Sequence, residues 1–268
     1  MRKCLVLIGD LKVVTKLAPK DFNNLKYCFN SFHDFEDIYN LKRLVDRTFN
    51  DYQNYISQAL DNSDLELTDF YFEALDRALK YIFYARMCFE NIGEKDTGLK
   101  EVFSSLDQTN TTYRMLRLMR NYAQHHSLPL KSAVEKWKYS DERLTISKEI
   151  FISKEDFLRK RLKKLDCQFI EKNYEEKIYI DDLFVEIQGL VEKYYVMAFK
   201  NQYNKVRLQI IAVVPRYKLE LFSRILKIDK VGVAKIIRKG QYAQEKFHPV
   251  DRGMLEKFLE YAQEKKDI

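Results

Sequence analysis

The sequence predicts a mostly α-helical fold with one short β-hairpin. Only 7 of the 268 residues are glycine and 4 are proline, which favours long helices over a turn-rich β architecture. Hydrophobic residues make up 46% of the chain, with 18 tyrosines and 18 phenylalanines, and this composition predicts a packed interior. Apolar residues recur at helical spacing along most of the chain, whereas residues 143–152 alternate and carry β-branched side chains in the manner of a strand.

Four helices are predicted in the first half of the chain. They cover about 37–60, 68–92, 99–106 and 111–126. Gly93 is expected to cap the second helix at its C-terminus, and Thr111 or Thr112 to cap the fourth at its N-terminus. The second helix is rich in aromatic residues and is expected to be the central packing element. Residues 1–16 alternate apolar and basic positions and are interpreted as a short strand or an irregular arm.

The second half is predicted to begin with the strand at 143–152 and to continue as helices. Ser153 is expected to be the N-cap of a basic helix. Further helices are predicted at about 180–201, 204–213, 217–227, 230–239 and 251–265. A boundary near 130–142 divides the chain into a first helical domain (1–140) and a mainly helical C-terminal extension (141–268), which packs separately or as one unit with the first.

Charge and cysteine content narrow the class of protein. The formal net charge is +7, which suits a polyanionic partner, although most basic residues are interleaved with acidic ones as on an ordinary solvated helix face. Cys4, Cys28, Cys88 and Cys167 are widely spaced, so we expect a reducing compartment and neither a zinc site nor a disulfide framework. The N-terminal apolar run is too short for a secretory signal, and no run reaches the roughly 18 to 20 apolar residues of a membrane span. We therefore expect a cytoplasmic protein with no membrane partner.

The candidate site is the segment Arg120-Asn121-Tyr122-Ala123-Gln124-His125-His126. On a helix with about 100° per residue, one face carries the polar residues Arg114, Arg117, Arg120, Asn121, Gln124 and His125. His126 is expected to project toward the opposite, apolar side. Arginines, amides and an imidazole on one face are typical of a functional site. The alternative interpretation is structural, because Arg and His near a helix C-terminus also complement the helix dipole and bond the last carbonyls.

Arg120-Asn121-x-x-x-His125 resembles the R-N-x-x-x-H form of the Rx4-6H signature of HEPN nucleases, and residues 119–129 resemble HEPN-like proteins of microbial defence and abortive-infection systems. The resemblance implies an antiparallel helical bundle over about residues 36–130, which forms a symmetric homodimer with a composite cleft. It also implies RNA cleavage without metal or cofactor, in a defence or toxin–antitoxin system whose antitoxin or another defence protein is a partner. Some toxin members carry a tyrosine, the target of a nucleotidyltransferase, where this chain has Ser127, so the sequence argues against that form of regulation.

The resemblance and the residue types together assign catalysis to Arg120, Asn121 and His125, with support from Arg117, Gln124 and His126. RNA supplies its own nucleophile, the 2′-hydroxyl beside the scissile phosphate. An imidazole, with an ordinary pKa near 6.5, can accept that proton or protonate the leaving oxygen near neutral pH. A guanidinium matches the charge that develops on the phosphoryl group.

Contacts to the RNA backbone are predicted for the basic residues Arg114, Arg159, Lys160, Arg161, Lys163 and Lys164. Such runs are also common on solvated faces, which is the structural alternative. The segment His33-Asp34-Phe35-Glu36-Asp37 places a histidine beside acids, but a His-Asp dipeptide without the further ligands of an HD-type hydrolase is poor evidence for metal binding, so no metal site is predicted. The alternative function is a non-catalytic helical module that binds RNA or another protein of a defence complex through the same basic face.

Overall fold

The structure, a computed structural model, describes residues 2–8, 13–16, 18–61, 66–126, 128, 130–140, 143–159, 162–213, 230–238, 241–243 and 250–266. The chain forms two compact units, a first unit of residues 1–40 and 196–268 and a second unit of residues 41–195. Most of the predicted boundary at 130–142 lies on a β-strand of the second unit, and the division into a first domain and a C-terminal extension stays a prediction.

Helices dominate the described part of the chain, as predicted. They are α1 (Pro19–Asp61), α2 (Leu67–Lys95), α3 (Thr97–Thr109), α4 (Thr111–His125), α5 (Lys154–Leu158), α6 (Lys164–Asn173), α7 (Ile180–Val213) and α8 (Arg252–Glu264). α1 and α7 contribute residues to both units. α1 begins at Pro19, well before the predicted start near residue 37, and proline suits a first helical position because its φ is preset and no donor is lost there.

Two antiparallel sheets accompany the helices. The strands are β1 (Arg2–Ile8), β2 (Val13–Lys16), β3 (Leu130–Ser140), β4 (Arg143–Ser153), β5 (Lys177–Tyr179), β6 (Lys230–Arg238), β7 (Gln241–Ala243) and β8 (Val250–Asp251). In the first unit the order is β2-β1-β6-β7, with β8 also paired to β6; in the second unit it is β3-β4-β5. The strand predicted at 143–152 is confirmed as β4, and the strand interpretation of residues 1–16 is confirmed by β1 and β2.

The core of the second unit is built around α2, which buries aromatic and small residues along its length. The ring of Tyr81 lies 4.6 Å from the ring of Phe184 on α7, and its hydroxyl donates to the Phe184 carbonyl oxygen at 3.1 Å. Both side chains are fully buried, and each contributes roughly 1.5–3 kcal/mol through the apolar surface it removes from water. Because the Tyr81 hydroxyl has a partner, its burial leaves no unsatisfied donor.

A polar network also links α1 to α7 inside the second unit. Lys42 is only 7% exposed and donates to Asp46 at 2.6 Å, and its Nζ lies 2.7 Å from a carboxylate oxygen of Glu192. Asp46 in turn accepts from the amide of Gln188 at 2.6 Å. Burial by itself lowers the pKa of Lys42, but the hydrogen bonds and charges of the two carboxylates outweigh burial and raise it. The ammonium therefore stays charged and paired.

The core of the first unit is aromatic. Phe258 of α8 stacks on Phe32 of α1 and on Phe199 of α7, with ring centroids 4.4 Å apart in each pair. The Gln202 amide nitrogen donates to the carbonyl oxygen of Ser31, which joins α7 to α1 by a hydrogen bond as well. Stacked and edge-to-face aromatic pairs of this kind add about 0.5–1.5 kcal/mol each beyond their buried area.

Two predictions for the later helices were wrong. Residues 230–239 do not form a helix but strand β6, which pairs along its length with β1, so that Cys4 faces Ala234. The alternating Val231 and Val233 and the β-branched Ile236 favour this outcome, but the deciding partner strand lies more than two hundred residues earlier in the sequence. The helices predicted at 180–201 and 204–213 are one continuous helix, α7. The helix predicted at 217–227 lies outside the described residues.

Helix ends were located less well than helix bodies. Ser153 is confirmed as an N-cap, because its hydroxyl accepts from the Asp156 backbone N–H, but the helix it starts ends at Leu158 before the basic run. Gly93 is buried inside α2 and is not its cap; the C-cap is Asp96. A Cβ on Gly93 would lie 3.3 Å from the Phe103 ring, so glycine here allows α3 to approach α2 closely.

Candidate functional site at the end of α4

The rotation of α4 about its own axis determines which of its residues are exposed to solvent. Asn110, and not Thr111 or Thr112 as predicted, is the N-cap, and its side-chain oxygen accepts from the Tyr113 backbone N–H at 2.7 Å. The residues of α4 packed in the core are Thr112, Tyr113, Met115, Leu116, Leu118, Met119 and Tyr122. The polar face predicted from the helical spacing is thereby confirmed as the outer face, with Asn121, Gln124 and His125 exposed.

Arg120 lies on this face and bonds to side-chain amides. Its Nη1 donates to Oε1 of Gln124 at 2.6 Å and to Oδ1 of Asn121 at 3.3 Å. Among the described residues no carboxylate lies within ion-pair distance of Arg120, so its positive charge is not neutralised there. Since the guanidinium engages the Asn121 carbonyl oxygen, the Asn121 amide NH2 remains as a donor.

A cleft of about 350 Å³ opens beside the end of α4; we call it the α4 cleft. It is lined by Arg117, Leu118, Asn121, Tyr122, His125, His126, Leu162, Lys163 and Asp166. Of the predicted catalytic residues, Asn121 and His125 therefore line the α4 cleft, whereas Arg120 borders it through its hydrogen bond to Asn121. A candidate histidine thus lies beside an open cleft of ligand size, which suits an acid–base role.

The expectation that His126 projects into the apolar side was wrong. His126 is exposed and lines the α4 cleft together with His125. It is the C-cap of α4, with φ −146° and ψ 158°, and its backbone N–H donates to the Tyr122 carbonyl oxygen at 2.8 Å. Helical spacing did not predict its direction because the backbone has already left the helical conformation at this residue.

Arg114 and Arg117 are both tied to one carboxylate. Asp166, at the start of α6 and only 7% exposed, accepts from Arg114 at 2.8 Å and from Arg117 at 3.1 Å. Arg117 also donates to Asp107 of α3 at 2.5 Å. Burial opposes the charge on Arg117, yet the hydrogen bond and charge of Asp107, with Asp166 adding to them, raise its pKa above the ordinary value. These two arginines hold α6 against α4, and Arg117 and Asp166 line the α4 cleft.

The predicted RNA-binding residues differ in whether they are exposed or already paired with a carboxylate. Lys163 is exposed and lines the α4 cleft, and Lys164 beside it is also exposed. Arg159 is paired with Glu155 and lies 3.3 Å from Asp156. Lys160 and Arg161 lie outside the described residues, so their predicted role stays a prediction. Among the described residues of the basic run, Lys163 lines the α4 cleft together with the two histidines.

Asp166 and Leu162 are site residues that sequence analysis missed. Asp166 is separated from Arg114 by 52 residues. Its local sequence signal is that of an acidic residue in the first turn of a helix, where such a residue usually interacts with the helix dipole. Leu162 carries no chemical signal. Both belong to the α4 cleft because of tertiary packing between α4 and the segment that enters α6.

No helix in the described ranges combines the length and apolar character needed to cross a membrane. The same ranges hold no group of three or more His, Cys, Asp or Glu side chains arranged to bind a metal ion. Comparison of the chain with models of known families, with curated proteins and with solved structures finds no match.

Proposed function

We propose that this protein is a metal-independent endoribonuclease whose reaction takes place in the α4 cleft. One observation carries the proposal: His125 and Asn121 stand side by side on an open cleft, with the exposed Lys163 on the same lining. An imidazole supplies proton transfer, an amide N–H2 and an ammonium supply donors for phosphate oxygens, and the cleft of about 350 Å³ has room for part of a nucleotide.

The chemistry assigned to these groups is attack by the 2′-hydroxyl on the adjacent phosphate. His125 accepts the proton that the attacking 2′-hydroxyl loses or donates a proton to the leaving oxygen. Asn121, whose carbonyl oxygen is engaged by Arg120, presents its NH2 to a phosphate oxygen. Arg120 has no acidic partner in the described region, so its charge is available to stabilise the phosphorane-like transition state.

The biological setting follows from the sequence resemblance. We propose a homodimer in which two Arg120 and His125 sets form one composite cleft, within a microbial defence or toxin–antitoxin system. The half-buried Arg120, which bonds to amide side chains within the described region and borders the α4 cleft, suits an approach by a second copy or by RNA. An antitoxin or other defence protein would then control the activity, and RNA is the substrate.

A second candidate is a non-catalytic helical module that binds RNA or a protein of a defence complex. It is favoured by the pairing of Arg114 and Arg117 with acids, which is how arginines in a purely structural role are arranged. In this case the α4 cleft and the exposed lysines bind a partner without chemistry.

Two substitutions separate the candidates. We expect His125→Ala to lower the rate of cleavage of a single-stranded oligoribonucleotide by roughly 10²- to 10⁴-fold, and Arg120→Ala to lower it by a similar factor. His33→Ala is the matched control, since His33 is an exposed histidine on α1 that bonds Glu36 far from α4 in the sequence. Wild-type cleavage should persist in EDTA. Equal activity of wild type and both site variants would eliminate the nuclease and leave the binding module.

A further inference from the structure

Two imidazoles line the α4 cleft, and the mechanism above uses one of them. The rings of His125 and His126 are both exposed, and their centroids lie 6.5 Å apart with their planes inclined at 62°. The His126 ring packs edge-on against Tyr122 at a centroid distance of 5.3 Å. Tyr122 is only 3% exposed and its hydroxyl reaches the Asp156 carbonyl oxygen, so it forms a rigid support for the His126 ring.

The end of α4 is what allows two consecutive residues to share one cleft. Neighbouring positions on a helix point about 100° apart, so two histidines inside a helix would diverge. Here His125 is the last helical residue and His126 has extended backbone angles. The bond from the His126 N–H to the Tyr122 carbonyl oxygen holds this departure from the helix in place.

Cleavage by a 2′-hydroxyl needs two proton transfers at two different oxygens. One group must remove the proton from O2′, and another must protonate the leaving O5′ on the far side of the phosphorus. Each group works within about 2.6–3.2 Å of its oxygen, so two imidazoles whose centres are 6.5 Å apart leave room for a phosphoryl group between them. We propose that His125 and His126 of one chain act as a general acid–base pair, an inference that rests on the proposed RNA cleavage.

The step balances without any further reactant. A neutral imidazole takes the proton of the 2′-hydroxyl, and O2′ forms a bond to phosphorus. The bond from phosphorus to O5′ breaks, and its electron pair stays on O5′, which receives a proton from the other, protonated imidazole. The products are a 2′,3′-cyclic phosphate and a 5′-hydroxyl end. The two histidines have exchanged protonation states and are reset by proton exchange with water.

Other charged and titratable groups around the two rings do not compete for this role. Among the described residues of the lining they are Arg117 and Tyr122 of α4 and Lys163 and Asp166 on the α6 side. The Asp166 carboxylate is occupied by Arg114 and Arg117, and the Tyr122 hydroxyl by the Asp156 carbonyl oxygen. Lys163 remains as a source of positive charge for the phosphate.

The first test is the pH dependence of kcat/KM on an oligoribonucleotide with one scissile linkage. Wild type should give a bell-shaped profile, because one imidazole must be neutral and the other protonated. His125→Ala and His126→Ala should each lose roughly 10²- to 10⁴-fold in rate and flatten a different limb of the bell. His33→Ala should keep both limbs, and circular dichroism should show that every variant retains the helical content of wild type.

The second test removes the need for an acid. In a substrate whose 5′-bridging oxygen is replaced by sulfur, the thiolate leaves without being protonated. The variant that lacks the acid should then approach the wild-type rate, while the variant that lacks the base should stay slow. His126→Asn, which keeps a polar side chain at the C-cap, should behave as His126→Ala does.

The possible failures have different meanings. Cleavage by His126→Ala and His126→Asn at the wild-type rate with an intact bell would overturn the acid–base pair and leave the proposed nuclease standing. Both single variants remaining slow on the sulfur substrate would also overturn the pair, since neither would then have lost an acid. Absence of cleavage by wild type at every pH would overturn the proposed function itself, and the pair with it.

Discussion

At the scale of single residues, the site is defined by which cations already have a carboxylate partner. Arg114 and Arg117 share Asp166, whereas the bonds of Arg120 within the described part of the chain go to side-chain amides. The polar face of α4 therefore offers less free positive charge than its three arginines suggest. A paired guanidinium can still donate hydrogen bonds, but it attracts an anion far less strongly than an unpaired one. The exposed Lys163 gains importance for the same reason.

Lys163→Ala tests this distinction between free and paired charge. Binding of single-stranded RNA releases about 0.7 counterion per phosphate contact, so losing one contact should reduce the slope of log K against log salt by about 0.7. The matched control is Arg159→Ala, because Arg159 already pairs with Glu155 and its loss should change the slope less. The measurement is a fluorescence-anisotropy titration of a labelled oligoribonucleotide at several salt concentrations. Equal slopes for wild type and Lys163→Ala would exclude Lys163 from the RNA contact.

Residue identities on the polar face were predictable, because helical spacing alone places Arg120, Asn121 and His125 together. Their partners were not. Asp107 and Asp166 contact Arg117 from two other helices, and no local sequence pattern predicts these contacts. The direction of His126 was mispredicted because the helix ends one residue earlier than the regular pattern assumed.

At the scale of secondary-structure elements, the two ends of α4 control the site. The Asn110 cap begins the helix, and the apolar residues that follow pack against the core and set its rotation. At the other end, His126 departs into extended backbone and reaches the α4 cleft. α6 completes the cleft through Asp166. A change at the Asn110 end of α4 is therefore expected to reach the site without touching a catalytic group.

Asn110→Ala should lower the free energy of unfolding by about 1 kcal/mol, since it removes the acceptor that satisfies the Tyr113 N–H. The matched control is the next residue, the exposed Thr111, where alanine should change stability by no more than about 0.5 kcal/mol. Urea denaturation followed by circular dichroism measures both. A larger loss in Thr111→Ala than in Asn110→Ala would mean that the hydroxyl predicted from sequence is the true cap.

Helix bodies were predicted better than helix ends, and the reason is physical. The body of a helix is predicted by apolar residues that recur at helical spacing over several turns, as in α2 and α7. The end of a helix depends on one capping residue and on the residues that pack beyond it. Gly93 is a case in which the sequence signal for a helix end was wrong. The glycine was expected to end α2, but it serves the close approach of the Phe103 ring from α3.

At the scale of the whole molecule, each unit buries a cysteine in its core. Cys28 of the first unit is 2% exposed and Cys88 of the second unit is fully buried. Burial raises the pKa of both thiols to about 12; a backbone hydrogen bond opposes this at Cys28, and the charge of Lys42 opposes it at Cys88. The folded protein thus keeps protons that the unfolded chain releases from about pH 8.5 upward.

This difference makes stability fall with rising pH. The contribution of each thiol is complete below about pH 8.5 and is lost at up to about 1.4 kcal/mol per pH unit as the pH approaches 12. Cys88→Ala should therefore flatten the decline in unfolding free energy between pH 8.5 and 10, measured by urea denaturation. Ile82→Val is the matched control, because it removes volume from the same buried face of α2 without removing a titrating group. An identical pH slope in Cys88→Ala and Ile82→Val would contradict the assigned role of the thiol.

The sequence by itself determined the helical character of the chain, the strand at 143–152 and the polar face of α4. These properties depend on the periodicity of neighbouring residues, which any stretch of about ten residues displays. Only the tertiary structure decided that residues 230–238 form a strand, since that needed β1 as a partner. It also decided that Asp166 occupies Arg114 and Arg117, and that His125 and His126 line one cleft. These outcomes rest on contacts between residues far apart in the sequence or on the way one helix ends, and neither leaves a periodic signal.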